Sequence, residues 1–326
     1  MPPPRLLARR SFDAAMLVRQ HPPRFTDGNK SAAHEVLVRQ GETASGTLEL
    51  TRWDAAELPA SRTPGRGLLT ERPGYFQYGQ PSLPPGTRHW HVNFANDDCF
   101  LYYGGPLLAQ DELQVLEHPV LASLREAAST GSFSLVCRAD RPTPVLVAGA
   151  ERRGALDTQP APGRLGGLYG NAFARAPVGA VKAALTRIEP PTRTNLLAIE
   201  APKGGTGPYS RETVAHVLTT AYTGFAAARA ETVRAAHGAP ARCVIHTGFW
   251  GAGAYGGDRE LMALLQLVAA ELAGVDEVVF YTVESGAPEL KRARQRLAKL
   301  ARVGGTAQVL DEVAAAGFRW GRPNGT

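Results

Sequence analysis

The chain has 326 residues, 44% of them hydrophobic, and a formal net charge of +6. That length allows one large domain or two modest ones around a real core, and the mild positive charge suits an anionic ligand or a polyanion without requiring one. Three cysteines, Cys99, Cys137 and Cys243, are too few and too scattered for a disulfide framework or a zinc ribbon, which fits a reducing cytoplasm.

The chain opens on MPPPRLLARRSFDAAMLVRQ, charged but without the apolar run of a signal peptide. Two strand-like runs follow, HEVLVRQ (34–40) and GTLELTRW (46–53), set between turn-rich stretches. SRTPGRG and QPSLPPGTRH are dense in proline and glycine, which interrupt regular structure. Residues 1–88 therefore read as an N-terminal accessory extension, and residues 89–326 as the main domain.

From residue 89 strands and helices alternate. WHVNFAN (90–96) reads as a strand, and a helical stretch at about 109–128 is interrupted by Pro119, which lacks the N–H a helix needs. SFSLVCRA (132–139) and TPVLVAGA (143–150) read as strands, and PVGAVKAALTRI (177–188) as a helix opened by proline. NLLAIEA (195–201) is a short buried strand, 211–236 a long helix with Ser210 as N-cap, and ARCVIHTG (241–248) a strand. Leu261, Leu264, Leu265, Val268 and Leu272 then share one helical face, with Asp258 at its start as a cap. EVVFYTV (277–283) is apolar without alternation, a strand covered on both faces. Helices at 288–302 and 307–316 close the chain. The pattern implies an α/β fold, a three-layer arrangement of a mostly parallel or mixed sheet with helices on both faces. No run of about 18 apolar residues suggests a membrane span.

Between the strand at 241–248 and the next helix lies HTGFWGAGAYGGD (246–258), with a G-x-G-x-x-G at Gly251, Gly253 and Gly256. Glycines let backbone approach phosphate oxygens, and the helix start adds free N–H groups and a positive dipole end. A tight strand-to-helix turn without a ligand is the plainer alternative. A nicotinamide-dinucleotide oxidoreductase fits less well. Its ribose-binding acid should come roughly 20 residues on, whereas Glu284 stands 28 residues after Gly256 and only one further strand follows. Phe249, Trp250 and Tyr255 supply bulk to line a pocket.

A second motif lies upstream. In VNFANDDCFLYYGGPLLAQDELQVLEHP (92–119) a strand is followed by an aromatic and glycine segment, and then Gln110, Asp111 and Glu112 open a helix. Two carboxylates there can simply complement the helix dipole.

Together these segments resemble the poly(ADP-ribose) glycohydrolase family, in its divergent bacterial type. VNFAN (92–96), GGPLLAQDEL (104–113), AYTGF (221–225) and GFWGAGAYGGD (248–258) with EVVFYT (277–282) carry the likeness, the last pair most specifically. It spans roughly residues 88–285. The resemblance implies a macrodomain-like fold and hydrolysis of an O-glycosidic bond at the anomeric carbon of ADP-ribose. Partners would be ADP-ribose itself or an ADP-ribosylated protein or nucleic acid, with no membrane, cofactor or metal required. It implies Glu112 as general acid and base, and Asp111 on a ribose hydroxyl. It places Asn96, Gly104, Gly105 and Gln110 on the ligand. It also places Gly248, Trp250 and Gly251 on the ligand, Gly253, Ala254, Gly256 and Gly257 on the diphosphate loop, and Tyr255 near the scissile ribose. The chain departs from the family pattern in three places. Tyr103-Gly104-Gly105 replaces three glycines, with only four residues before Gln110. Asp111 is one methylene shorter than the family glutamate. Val283 stands where some members stack an aromatic on adenine. A shortened glycine loop leaves a non-catalytic ADP-ribose reader as the alternative.

Other features have plain readings beside functional ones. His89 and His91, with Cys99 and His118 nearby, match no zinc spacing. APKGGTG (201–207) is a turn or a pocket edge, and the basic helix at 291–302 a solvated face or a polyanion contact.

Overall fold

Eight strands form one mixed sheet in a computed structural model that describes residues 3–65, 67–78, 84–129, 133–162, 165–283 and 285–323. In chain order the strands are β1 (Leu6–Asp13), β2 (Thr47–Trp53), β3 (Leu68–Pro73), β4 (Thr87–Ala95), β5 (Cys137–Arg138), β6 (Arg141–Pro142), β7 (Val145–Leu156), β8 (Leu185–Glu200), β9 (Arg242–Thr247) and β10 (Glu277–Thr282). The helices are α1 (Ala14–Gln20), α2 (Gly28–Leu37), α3 (Gln110–Glu117), α4 (Val120–Ala128), α5 (Ala172–Arg175), α6 (Val178–Ala183), α7 (Arg211–Ala235), α8 (Arg259–Ala273), α9 (Ala287–Leu300) and α10 (Thr306–Ala315).

The sheet order is β1-β2-β7-β8-β4-β9-β10-β3, and β5 and β6 make a separate small ribbon. β8, β4, β9, β10 and β3 run parallel, whereas β7, β2 and β1 pair antiparallel. An antiparallel flank on a parallel centre is not the doubly wound order of a dinucleotide fold. The carboxyl ends of β4, β8, β9 and β10 lie together, the edge where open α/β sheets bind ligands.

Helices cover both faces. On one side Trp90 and Val92 of β4 pack with Phe225 of α7, Leu264 of α8 and Phe280 of β10. On the other, Ala95, Val147 and Leu196 pack with Leu121 of α4 and Leu17 of α1. Helix α8 is bounded as its sequence suggests. Asp258 accepts a hydrogen bond from the Leu261 N–H at 2.9 Å, and Gly274 ends the helix at φ 66°. Ser210 caps α7 in the same way. Among the described residues no helix is long and apolar enough to cross a membrane.

Three expected elements differ. HEVL of 34–40 belongs to α2, because Asp27 caps a helix there and Lys30, Ala33 and Leu37 bury one helical stripe. Of 132–139 only Cys137–Arg138 is strand, and residue 132 lies outside the described residues. The helix expected over 177–188 stops at Ala183, and LTRI opens the sixteen-residue β8. Pro190 and Pro191 bar a longer helix, and β-branched Thr186 and Ile188 suit a strand. Strands from residues 1–88 enter the main sheet at both edges, β1 and β2 at one and β3 at the other.

Candidate active site

The loop after β9 is built by close backbone approaches. Gly251 adopts φ 74°, and a Cβ there would meet Pro202 Cδ at 2.6 Å, so only glycine fits. The Gly257 N–H donates to Gly251 O at 3.0 Å and the Gly256 N–H to Gly253 O at 3.1 Å, curling the loop back onto α8. Buried Gln266 of α8 steadies its start by donating from Nε2 to Gly248 O at 2.9 Å.

This loop forms one wall of a cavity of about 280 Å³. Gly248, Phe249 and residues 251–255 line it on that side. Opposite stands α3, whose Gln110, Leu113, Gln114 and Glu117 fall on a single helical face. Rings of Tyr75, Phe76, Tyr78, Phe94, Tyr169 and Tyr281 complete the enclosure, with Arg152 and Arg259 as its cations. Gln110 locks α3 to β4, accepting from the Phe94 N–H at 2.8 Å and donating to Val92 O at 3.0 Å.

Among the described residues Glu117 is the carboxylate that lines the cavity. Arg152 pairs with it at 3.0 Å, the Leu156 N–H donates to it at 3.0 Å, and the guanidinium lies 4.4 Å from the centre of the Tyr78 ring. Burial raises the Glu117 pKa, with Arg152 opposing.

Asp111 and Glu112 turn away from the cavity. Asp111 is 5% and Glu112 4% exposed. Asp111 accepts from Asn93 Nδ2 at 2.8 Å and from the Phe100 N–H. Phe100 has φ 63°, a conformation a bulky residue adopts only when held. Glu112 accepts the Ala109 N–H at 2.9 Å, closing its own helix start. Ala109 itself lines the cavity, so Glu112 lies directly behind the wall. Burial lifts both carboxyls above the usual carboxylate range, and the Lys30 ammonium opposes the rise.

A family model described as poly(ADP-ribose) glycohydrolase, macro domain fold, matches residues 169–289. The glycine loop, α7, α8 and β10 all fall inside that match. The chain resembles that family over this segment. No curated protein matches it. Among solved structures, a poly(ADP-ribose) glycohydrolase from Thermomonospora curvata bound to the inhibitor ADP-HPD is 16% identical, with a TM-score of 0.39 over 88% of this chain and 85% of that one. One from Deinococcus radiodurans in complex with ADP-ribose is 15% identical, with a TM-score of 0.40 over 88% of this chain and 98% of that one.

Against the poly(ADP-ribose) glycohydrolase resemblance, the expected ligand residues divide. Gln110, Gly248, Gly251, Gly253, Ala254 and Tyr255 line the cavity. Asn96 reaches it through Tyr255, donating from Nδ2 to Tyr255 Oη at 3.1 Å. Gly256 and Gly257 shape the turn into α8. Trp250 was expected on the pocket, but it is fully buried in the core beneath the loop. Gly104 and Gly105 are not on the cavity either. Gly104 O accepts the N–H groups of Thr26 and Asp27, and a Cβ on Gly104 would meet Arg24 O at 2.2 Å.

Several lining residues escaped the sequence reading. Glu117 could have been found, since it stands two helical turns from Gln110 on the same face. Tyr75 and Tyr78 sit in a proline- and glycine-rich stretch, and Arg152 lies mid-strand with no local signal. Val283 does line the cavity, whereas Glu284 lies outside the described residues. The APKGGTG loop packs on the glycine loop, where a Gly204 Cβ would meet Tyr255 O at 2.9 Å. His89 and His246 share a 2.7 Å hydrogen bond and His91 stacks on His246 at 4.1 Å. Among the described residues no group of three His, Cys, Asp or Glu is placed to hold a metal. On α9, Arg292 and Arg296 both pair with Glu260.

Proposed function

We propose that the chain is an ADP-ribosyl glycohydrolase that cleaves an O-glycosidic bond at the anomeric carbon of ADP-ribose carried by a polymer, a protein or a nucleic acid. The observation that carries this reading is the glycine loop forming a cavity wall at the start of α8, facing the Gln110 end of α3. Backbone N–H groups and the helix dipole there suit a diphosphate. Tyrosine faces at the other walls suit a base, which accords with a valine at position 283.

In this reading Glu112 protonates the leaving oxygen as the bond breaks through an oxocarbenium-like transition state. It then takes a proton from the attacking water, so that hydrolysis is complete and Glu112 is restored. A burial-raised pKa serves the first step. Glu112 gains access by releasing the Ala109 N–H, a rearrangement confined to the first turn of α3. Asp111 orients the turn and takes a ribose hydroxyl. Residues 1–88 act as an accessory extension supporting the catalytic unit at 89–326. Three free cysteines accord with a cytoplasmic setting.

The reader alternative has its own observation, since Asp111 and Glu112 are both engaged by backbone N–H groups and neither lines the cavity. Turnover of ADP-ribosylated substrate by wild type and Glu112→Gln separates the two. A hydrolase loses turnover in the variant but keeps ADP-ribose binding. A reader shows binding and no turnover in either form.

A further inference from the structure

The segment before α3 is gripped from outside the region of family resemblance. Arg24 donates its N–H to Tyr103 Oη at 2.6 Å. The N–H groups of Thr26 and Asp27 donate to Gly104 O at 2.9 and 3.1 Å. Three residues on, in the first turn of α2, stands Lys30, which is 2% exposed. An ammonium that deeply buried is costly unless it is bonded and balanced by negative charge. Its Nζ donates to Tyr103 O at 2.9 Å. It also shares a small hollow with Tyr103 and with Val115 and Leu116 of α3, so α2, the glycine segment and the carboxylate helix meet at this side chain.

We propose that Lys30 is a positioning residue for the Asp111–Glu112 pair: it ties α2 to the Tyr103 carbonyl and sets a buried positive charge against the two carboxyls. The inference rests on the hydrolase reading for its consequence in turnover. The ionisable groups around it are Asp27 at the cap of its helix and His34 within it, Tyr103 of the loop, and Asp111 and Glu112 of α3, with Cys99 facing Asp111. Burial lowers the Lys30 pKa to about 8, and Glu112 is the largest influence opposing it. Lys30 is in turn the largest influence holding Glu112 down against burial. The N-terminal segment therefore opposes the rise in proton affinity that burial gives the pair.

The test follows the Glu112 carboxyl directly. Carbon-13 titration of labelled glutamate, assigned with Glu112→Gln, is compared in wild type, Lys30→Met, Lys30→Gln and Lys30→Arg. Lys30→Gln retains a donor for Tyr103 O but no charge. The neutral variants should raise the Glu112 titration by roughly one pH unit, and Lys30→Arg should largely restore it. The turnover optimum should move to higher pH in step. An unmoved Glu112 titration in the folded neutral variants overturns the proposal. Failure of the hydrolase reading shows separately, as absent turnover in wild type.

Discussion

The glycine loop at 248–257 and the carboxylate turn at 103–112 meet the cavity in opposite ways. The loop presents backbone to it, and its motif is one short run of glycines, of which Gly248, Gly251, Gly256 and Gly257 each meet a close approach. The carboxylate turn presents Gln110 to the cavity and keeps Asp111 and Glu112 inside, held by Asn93, Phe100 and Ala109 and faced by Lys30. A binding surface can be written in one stretch of chain. An acid of raised pKa needs burial, and burial is supplied by distant segments.

That contrast can be broken in order of expected effect. Glu112→Gln should lower turnover by about 10²–10⁴-fold and leave ADP-ribose affinity within a few-fold; equal loss of affinity would put Glu112 in the binding surface instead. Arg152→Leu leaves Glu117 buried without its cation and should cost about 3–5 kcal/mol, read by urea denaturation. Adding Glu117→Gln should recover most of that loss, and no recovery would mean that Arg152 acts by packing alone. Gly251→Ala forces a Cβ into Pro202 at a left-handed residue, for a cost of roughly 1–3 kcal/mol, and ADP-ribose affinity should fall more than stability. An affinity that stays level would detach the loop from the ligand.

The smallest effect concerns pH. The Glu112 pKa is raised in the folded state, so that state binds the extra proton and stability is lost as pH rises from the ordinary carboxylate range through the raised value. Glu112→Gln should therefore be more stable than wild type at pH 8, with the gain disappearing near pH 4. A gain that stayed constant with pH would deny the raised pKa.

Much of the fold was legible because its signals are local. The caps Asp258 and Ser210, the leucine stripe of α8 and the apolar run of β10 each specify an element without reference to the rest of the chain. HEVLVRQ misled because β-branched and apolar residues suggested a strand, while the deciding features were the Asp27 cap and the stripe Lys30, Ala33 and Leu37. At the site, the glycine loop was legible for the same reason. Arg152 comes from β7, Tyr78 from the connection before β4, and Lys30 from α2, and only the sheet order brings them to one helix. Trp250 was misplaced because bulk in a glycine loop does not report which side of the loop faces the core.

The most direct measurement is calorimetric titration of the purified chain with ADP-ribose, beside NADH and AMP. The account predicts saturable binding of one ADP-ribose per chain, tighter than NADH or AMP and weakened by Gly251→Ala. No heat with ADP-ribose, or tighter binding of NADH, would contradict it.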